Sequence, residues 1–262
     1  MRRHKTSHLP ALLLLIVMLG GALALVFAYC GCRPDAAQPV AQVELPPPSP
    51  LETAEHIRER KRLFIALLLP LVQQENRRLE ADRERIDRIE RELLGEDDIS
   101  QDDFEWLKDM ARDYELDPKA RRNPEFFASL RQRVDMVPAS LAIAQAAIES
   151  GWGRSQVTRE ANNFFGHYCY GADCGVPAPG SGDLRIFASP AASVQAYIHN
   201  LNSHAAYRQF RLKRSELRAS GNEPEGRVLA GALTAYSERG EAYIADIRAV
   251  IRANKLEALP NR

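Results

Sequence analysis

The sequence predicts a mainly α-helical protein with a small β lobe, preceded by a charged helical segment and one membrane-spanning helix. Three observations carry that prediction. Residues 9–29 are an uncharged apolar run close to the amino terminus. Val72, Leu79, Ile86 and Leu93 recur every seven residues inside a stretch dense in Glu and Arg. Residues 137–150, VPASLAIAQAAIES, are apolar on almost every side. The chain has 262 residues, enough to bury a sizeable core. Its 35 basic and 35 acidic residues cancel, which excludes the strongly basic face of a nucleic-acid binder.

Taken in order, the amino-terminal run is long enough to cross a bilayer, which needs roughly 20 apolar residues. Arg2, Arg3 and Lys5 precede it, favouring a cytoplasmic amino terminus and delivering the rest of the chain across the membrane. The run exceeds the roughly 7–15 apolar residues of a cleaved signal, so an uncleaved anchor in the cytoplasmic membrane is preferred. Lipidation at Cys30 or Cys32 is the alternative, although Tyr29 fits a lipobox poorly. The expected division is an anchor at 1–30, a Pro/Ala-rich linker at 31–50, a charged helical segment at 51–120 and a folded domain at 121–257. Prolines 46–48 favour an extended spacer in the linker.

In the charged segment, the heptad positions suggest either a coiled-coil dimer or a helix hairpin laid against the following domain. Glu75 and Asp82 at core positions favour the hairpin. Residues 70–95 are the part that could recruit a helical protein partner. Phe104, Trp106, Leu107 and Met110 indicate a further short helix, and Phe126, Phe127 and Leu130 another. Gly151 and Gly153 stop the apolar helix, which must be central because it has no polar face. Residues 165–188 are rich in Gly, Pro and aromatics and carry the β lobe, with Leu184 and Ile186 in alternation. Ser189-Pro190 opens a helix with Val194, Tyr197, Ile198 and Leu201 on one face. The last helix carries Tyr243, Ile244, Ile247, Val250 and Ile251.

Glu149 is the candidate for chemistry. It lies on the face of Leu141, Ala142, Gln145 and Ala146, where a carboxylate must find a cation or become a weaker acid. A protonated carboxyl beside an aromatic ring such as Trp152 suits acid-catalysed glycoside cleavage. The plain alternative is a Glu turned to solvent or paired with Arg154. Cys169 and Cys174, with four residues between them and in an oxidising compartment, read as a disulfide. With His167 nearby they form the rival metal site, one ligand short of structural zinc.

The run AQAAIESGWGRS at 144–155, followed by ANNFFG at 161–166, resembles the glucosaminidase family of peptidoglycan hydrolases, glycoside hydrolase family 73. The CYGADCG loop and YIHNLNSHAAYR at 197–208 are most similar to its Bax-type branch, and the resemblance runs from about residue 51 to 256. It implies a lysozyme-like domain whose cleft holds a peptidoglycan strand, cleaved after N-acetylglucosamine. Glu149 matches the family's general acid. Asp183 stands where the branch has a Glu, one methylene longer; it or the substrate's own 2-acetamido group would stabilise the cation. Tyr236 matches a tyrosine that orients the reacting sugar. Tyr243, Trp152 and Phe164 are further candidates for sugar contact or for the core, and Asn163 and Ser150 for holding the turn after the helix. No metal or organic cofactor is implied. Muramidase or lytic transglycosylase activity, or a non-catalytic glycan-binding scaffold, are the alternatives, and the expected place is the periplasmic side of the inner membrane.

Overall fold

A computed structural model of the chain describes Leu45 and residues 53–95, 98–169, 174–177 and 182–262. The expected anchor at 9–29 and all of the linker but Leu45 lie outside the described residues. Among the described residues, no helix is long and apolar enough to cross a membrane.

The charged segment forms one helix, α1 (Ala54–Leu94), 41 residues long and continuous through Pro70. Thr53 caps it by accepting from the His56 N–H. Its seven-residue repeat does the work expected of a buried stripe: Phe64, Leu68, Val72, Leu79, Ile86, Ile89 and Leu93 are all buried. They enter the same core as the later helices, so the stripe that would close a coiled-coil dimer is already covered by this chain. Gly95 ends the helix and Ser100 caps α2 (Gln101–Asp113), which returns against α1. Asp103 holds Arg85 at 2.8 Å and Arg88 at 2.9 Å across the hairpin.

Helix α3 (Pro124–Arg133) leads into α4 (Ala139–Ser150), the central apolar helix. Every residue from Ala139 to Ala147 is buried. Around α4 pack α1, α8 (Gly226–Leu229) and α9 (Glu241–Ala253), with the short turn at Leu256–Ala258 against its far side. Asn76 of α1 staples the entry to α4, donating to the Val137 carbonyl at 3.0 Å and accepting from its N–H at 3.1 Å. Gly151 then adopts φ 59° and ends α4 in the left-handed conformation that glycine tolerates best.

The short α5 (Gln156–Ala161) opens the β lobe, an antiparallel sheet in the order β1 (Tyr168–Cys169), β3 (Asp183–Arg185), β2 (Gly175–Pro177). Leu184 faces Tyr168 on one side and Val176 on the other. The Cys169–Cys174 disulfide forms as expected and joins β1 to the approach to β2. Helix α6 (Pro190–Ser203) follows, capped by Ser189, and buries Val194, Tyr197, Ile198 and Leu201 completely. Helix α7 (Arg208–Ala219) closes over the junction of α3 and α4.

That closure is ionic. Asp135, buried between α3 and α4, receives Arg218 of α7 through two bonds of 2.6 and 2.7 Å, with Arg214 at 3.4 Å and Arg83 of α1 at 3.7 Å. Arg214 is fully buried and also donates to the carbonyls of Gln132, Asp135 and Met136. Burial would raise the Asp135 pKa, but the Arg214 charge and the Arg218 hydrogen bond hold it below the ordinary value. Asp135→Ala would strand buried guanidinium charge and is expected to cost about 3–5 kcal/mol, read by chemical denaturation. Because the folded pKa is depressed, this stabilisation is present above the ordinary carboxylate pKa and fades as the pH falls through it.

Candidate active site

Glu149 sits in the last turn of α4, at the junction of two cavities. The larger, about 1180 Å³, is a groove between the β lobe and α6, with Gly166, His167, Leu184, Asn200, Tyr207 and Tyr236 among its walls. The smaller, about 560 Å³, lies between Trp152, Arg154 and the first turns of α1 at Ile57 and Lys61. Helix α1 reaches both, since Glu75 and Arg78 line the far end of the groove.

The Glu149 side chain opens to water at this junction. The protein around it nonetheless raises its pKa above the ordinary value by desolvation, while a hydrogen bond from Tyr243 and the charge of Arg239 pull the other way. The Tyr243 hydroxyl donates to Oε1 at 2.7 Å. Oε2 faces Gly166, where a Cβ would stand 3.6 Å away. One oxygen is therefore held by the protein, and the other lies at the groove wall.

Behind Tyr243 the bonds continue inward. Gln145 Nε2 donates to the Tyr243 hydroxyl at 3.2 Å, and the Tyr197 hydroxyl donates to Gln145 Oε1 at 2.7 Å. Gln145 and Tyr197 are fully buried. Burial pushes both the Tyr197 and Tyr243 hydroxyls up, so they stay protonated. Tyr236 stacks on Tyr243 with ring centres 5.6 Å apart and planes 5° from parallel, and donates to the Phe165 carbonyl at 3.3 Å. Tyr236 keeps a face in the groove; Tyr243 is almost wholly buried, with its hydroxyl on Glu149.

The other expected residues fall in different places. Trp152 takes φ 59°, sets its ring edge-on to Phe64 at 5.5 Å and carries Lys61 Nζ 4.8 Å over its face. It lines the smaller cavity while packing on α1. Phe164 is buried against Phe64 at 6.0 Å and lines neither cavity. Asn163 is a buried clamp: its amide donates to the carbonyls of His167 and Arg185 and accepts from the His167 N–H. Ser150 holds the turn through the Ala146 carbonyl and the Gly153 N–H. Asp183 pairs through its backbone with Cys169 and Pro177 on β3, and it is not among the residues lining either cavity.

Two residues beside the groove were assigned no role in catalysis from the sequence. Gln145, fully buried, stands one turn before Glu149 on the same face, and that spacing was the available signal. His167 lines the groove as an uncharged imidazole, since burial lowers its pKa to about 4. Among the described residues its Nε2 has no hydrogen-bond partner. It is not part of a metal site there: no group of three His, Cys, Asp or Glu could hold an ion among the described residues, and both cysteines are in the disulfide.

Gly166 takes φ +68° beside Oε2. Gly166→Ala is expected to cost about 1–2 kcal/mol in unfolding free energy from the left-handed backbone. The added methyl would also desolvate Glu149, so carboxyl-resolved NMR should show its titration moving to higher pH.

Comparison with known proteins places the chain in a family. The family model for mannosyl-glycoprotein endo-beta-N-acetylglucosaminidase matches residues 125–256. Protein bax of Escherichia coli (strain K12) is 34% identical over 185 residues, covering 70% of this chain and 66% of that protein, a little under two thirds of its length. No solved structure matches. The helix that walls both cavities, α1, lies outside the residues matched by the family model. With the Glu149 helix, the β lobe and most of the groove's walls inside the matched region, the chain belongs to the glucosaminidase family as a Bax-type member, and its domain is that of a glycoside hydrolase.

Proposed function

We propose that the chain hydrolyses the glycan strand of peptidoglycan after N-acetylglucosamine, with Glu149 as the general acid. The observation that supports this reading most is a carboxyl whose pKa is raised at the junction of two cavities, one oxygen held and one left at the groove. A general acid must be protonated at the working pH, which desolvation favours. In this reading the domain is lysozyme-like, and the groove holds the sugar whose glycosidic bond breaks. Tyr236, fixed on Tyr243, orients that sugar, and the next residue of the strand enters the smaller cavity.

The second group is the substrate's own 2-acetamido oxygen rather than Asp183. What favours it is that Asp183 lines neither cavity at Glu149. The acetamido oxygen attacks C1 as the bond to the leaving oxygen breaks, and the leaving oxygen takes the proton of Glu149. Water then opens the cyclic intermediate and returns a proton to Glu149. Tethering through residues 9–29, on the periplasmic side of the inner membrane, would keep the enzyme near a polymer that cannot diffuse to it.

The test uses the full chain in detergent on purified peptidoglycan, with reducing ends identified by borohydride reduction and mass spectrometry. Reduced glucosamine ends are expected, and Glu149→Gln should lower their yield at least 100-fold, in keeping with loss of a general acid. Muramic or anhydro-muramic ends would overturn the bond assignment. Binding without cleavage by the wild type would overturn the enzyme reading in favour of a scaffold.

A further inference from the structure

We infer that Gln145 and Tyr197 are positioning residues that determine which oxygen of Glu149 carries the transferable proton. The inference rests on Glu149 acting as the general acid. Tyr243 has one hydroxyl proton, and Gln145 Nε2 already points a hydrogen at its oxygen. The Tyr243 proton is therefore turned outward, onto Glu149 Oε1. A second proton on Oε1 would meet it head-on. The acidic proton must sit on Oε2, the oxygen beside Gly166 at the groove.

The amide orientation decides this outcome. Were Gln145 reversed, its carbonyl oxygen would draw the Tyr243 proton inward, and Oε1 would have to hold the acidic proton to satisfy Tyr243. Tyr197 opposes that reversal by donating to Gln145 Oε1 at 2.7 Å. Both residues are fully buried, so water cannot replace either partner. Such a chain of donors pointing one way also polarises its last member, strengthening the bond to the carboxylate.

The other groups around Glu149 leave this assignment intact. Arg239 acts on it through charge from the loop before α9. Arg60 and Lys61 of α1 and Arg154 beyond α4 line the same cavity. Tyr207 and Tyr236 line the larger groove beside Glu149 as neutral hydroxyls. None of these is altered by substitution at 145 or 197, so a changed pH dependence in the neutral variants Gln145→Leu and Tyr197→Phe belongs to the relay, whereas Gln145→Glu adds the direct repulsion of its own charge.

The test is the pH profile of glycan cleavage by the full chain, comparing wild type with Gln145→Glu, Gln145→Leu, Tyr197→Phe and Glu149→Gln. A carboxylate at 145 accepts from both tyrosines and takes the Tyr243 proton away from Glu149. The descending limb, where the acid ionises, should then move to higher pH, and kcat should fall about 100-fold with KM within about twofold. Gln145→Leu should shift the limb in the same direction with about a tenfold loss of kcat, and Tyr197→Phe, which keeps its packing, by less. Loss of activity at every pH with the limb unmoved, in variants of wild-type helicity, would reduce the relay to packing and overturn the inference. If Gln145→Leu fails to fold, Tyr197→Phe carries the same comparison. Wild-type activity in Glu149→Gln would instead remove the general-acid reading, and the inference with it.

Discussion

Helix α4 has no face that tolerates water, and most of the architecture answers that constraint. Twelve residues with nothing charged before Glu149 must be enclosed on all sides. The residues matched by the family model supply part of the enclosure through α8 and α9, and the charged α1 supplies the rest. That explains why a helix rich in Glu and Arg is built into the domain: its apolar stripe is a wall of the α4 chamber, and its charged positions face water, pair within α1 and the hairpin, or reach Asp135 as Arg83 does. The same enclosure fixes Glu149. A carboxyl at the open end of a buried helix, with Gly151 turning the chain away immediately after it, has its backbone set by the core and its side chain presented to the groove.

Electrostatics are divided between two places with opposite outcomes. At Asp135 a buried carboxylate is surrounded by arginines and kept ionised, tying α7 and α1 to the entry of α4. At Glu149, at the other end of the same helix, desolvation prevails and the acid is weakened, moderated by one tyrosine and one distant arginine. The difference lies first in charge, since the buried Arg214 stands beside Asp135, and then in hydrogen bonding. Asp135 receives a bidentate guanidinium, the strongest partner a carboxylate can have, whereas Glu149 receives a single neutral hydroxyl on one oxygen.

Much of this was legible from residue spacing. The apolar run at 137–150 announced a central helix, and Gly151 its end. The seven-residue repeat located the buried stripe of α1, and two cysteines with four residues between them located the staple of the β lobe. What escaped the sequence depends on partners far apart in the chain. Asp135 meets Arg218 across 83 residues and Gln145 meets Tyr243 across 98, and neither separation leaves a periodic trace. Tyr197 read as one more apolar position on α6, because its ring packs like the others while its hydroxyl goes elsewhere. For Phe164 and Trp152, aromatic and next to the motif, spacing left sugar contact and core packing both open; the structure sets Phe164 in the core and leans Trp152 on α1 while it lines the smaller cavity.

The central claim is that the protein holds Glu149 as a weakened acid at the groove. The most direct measurement is the titration of its side-chain carboxyl carbon by NMR in the full chain, assigned by its loss in Glu149→Gln. The account predicts a midpoint above the ordinary glutamate value, rising further in Tyr243→Phe, where the one neutral donor is removed. A midpoint at or below the ordinary value, unmoved by that substitution, would contradict it.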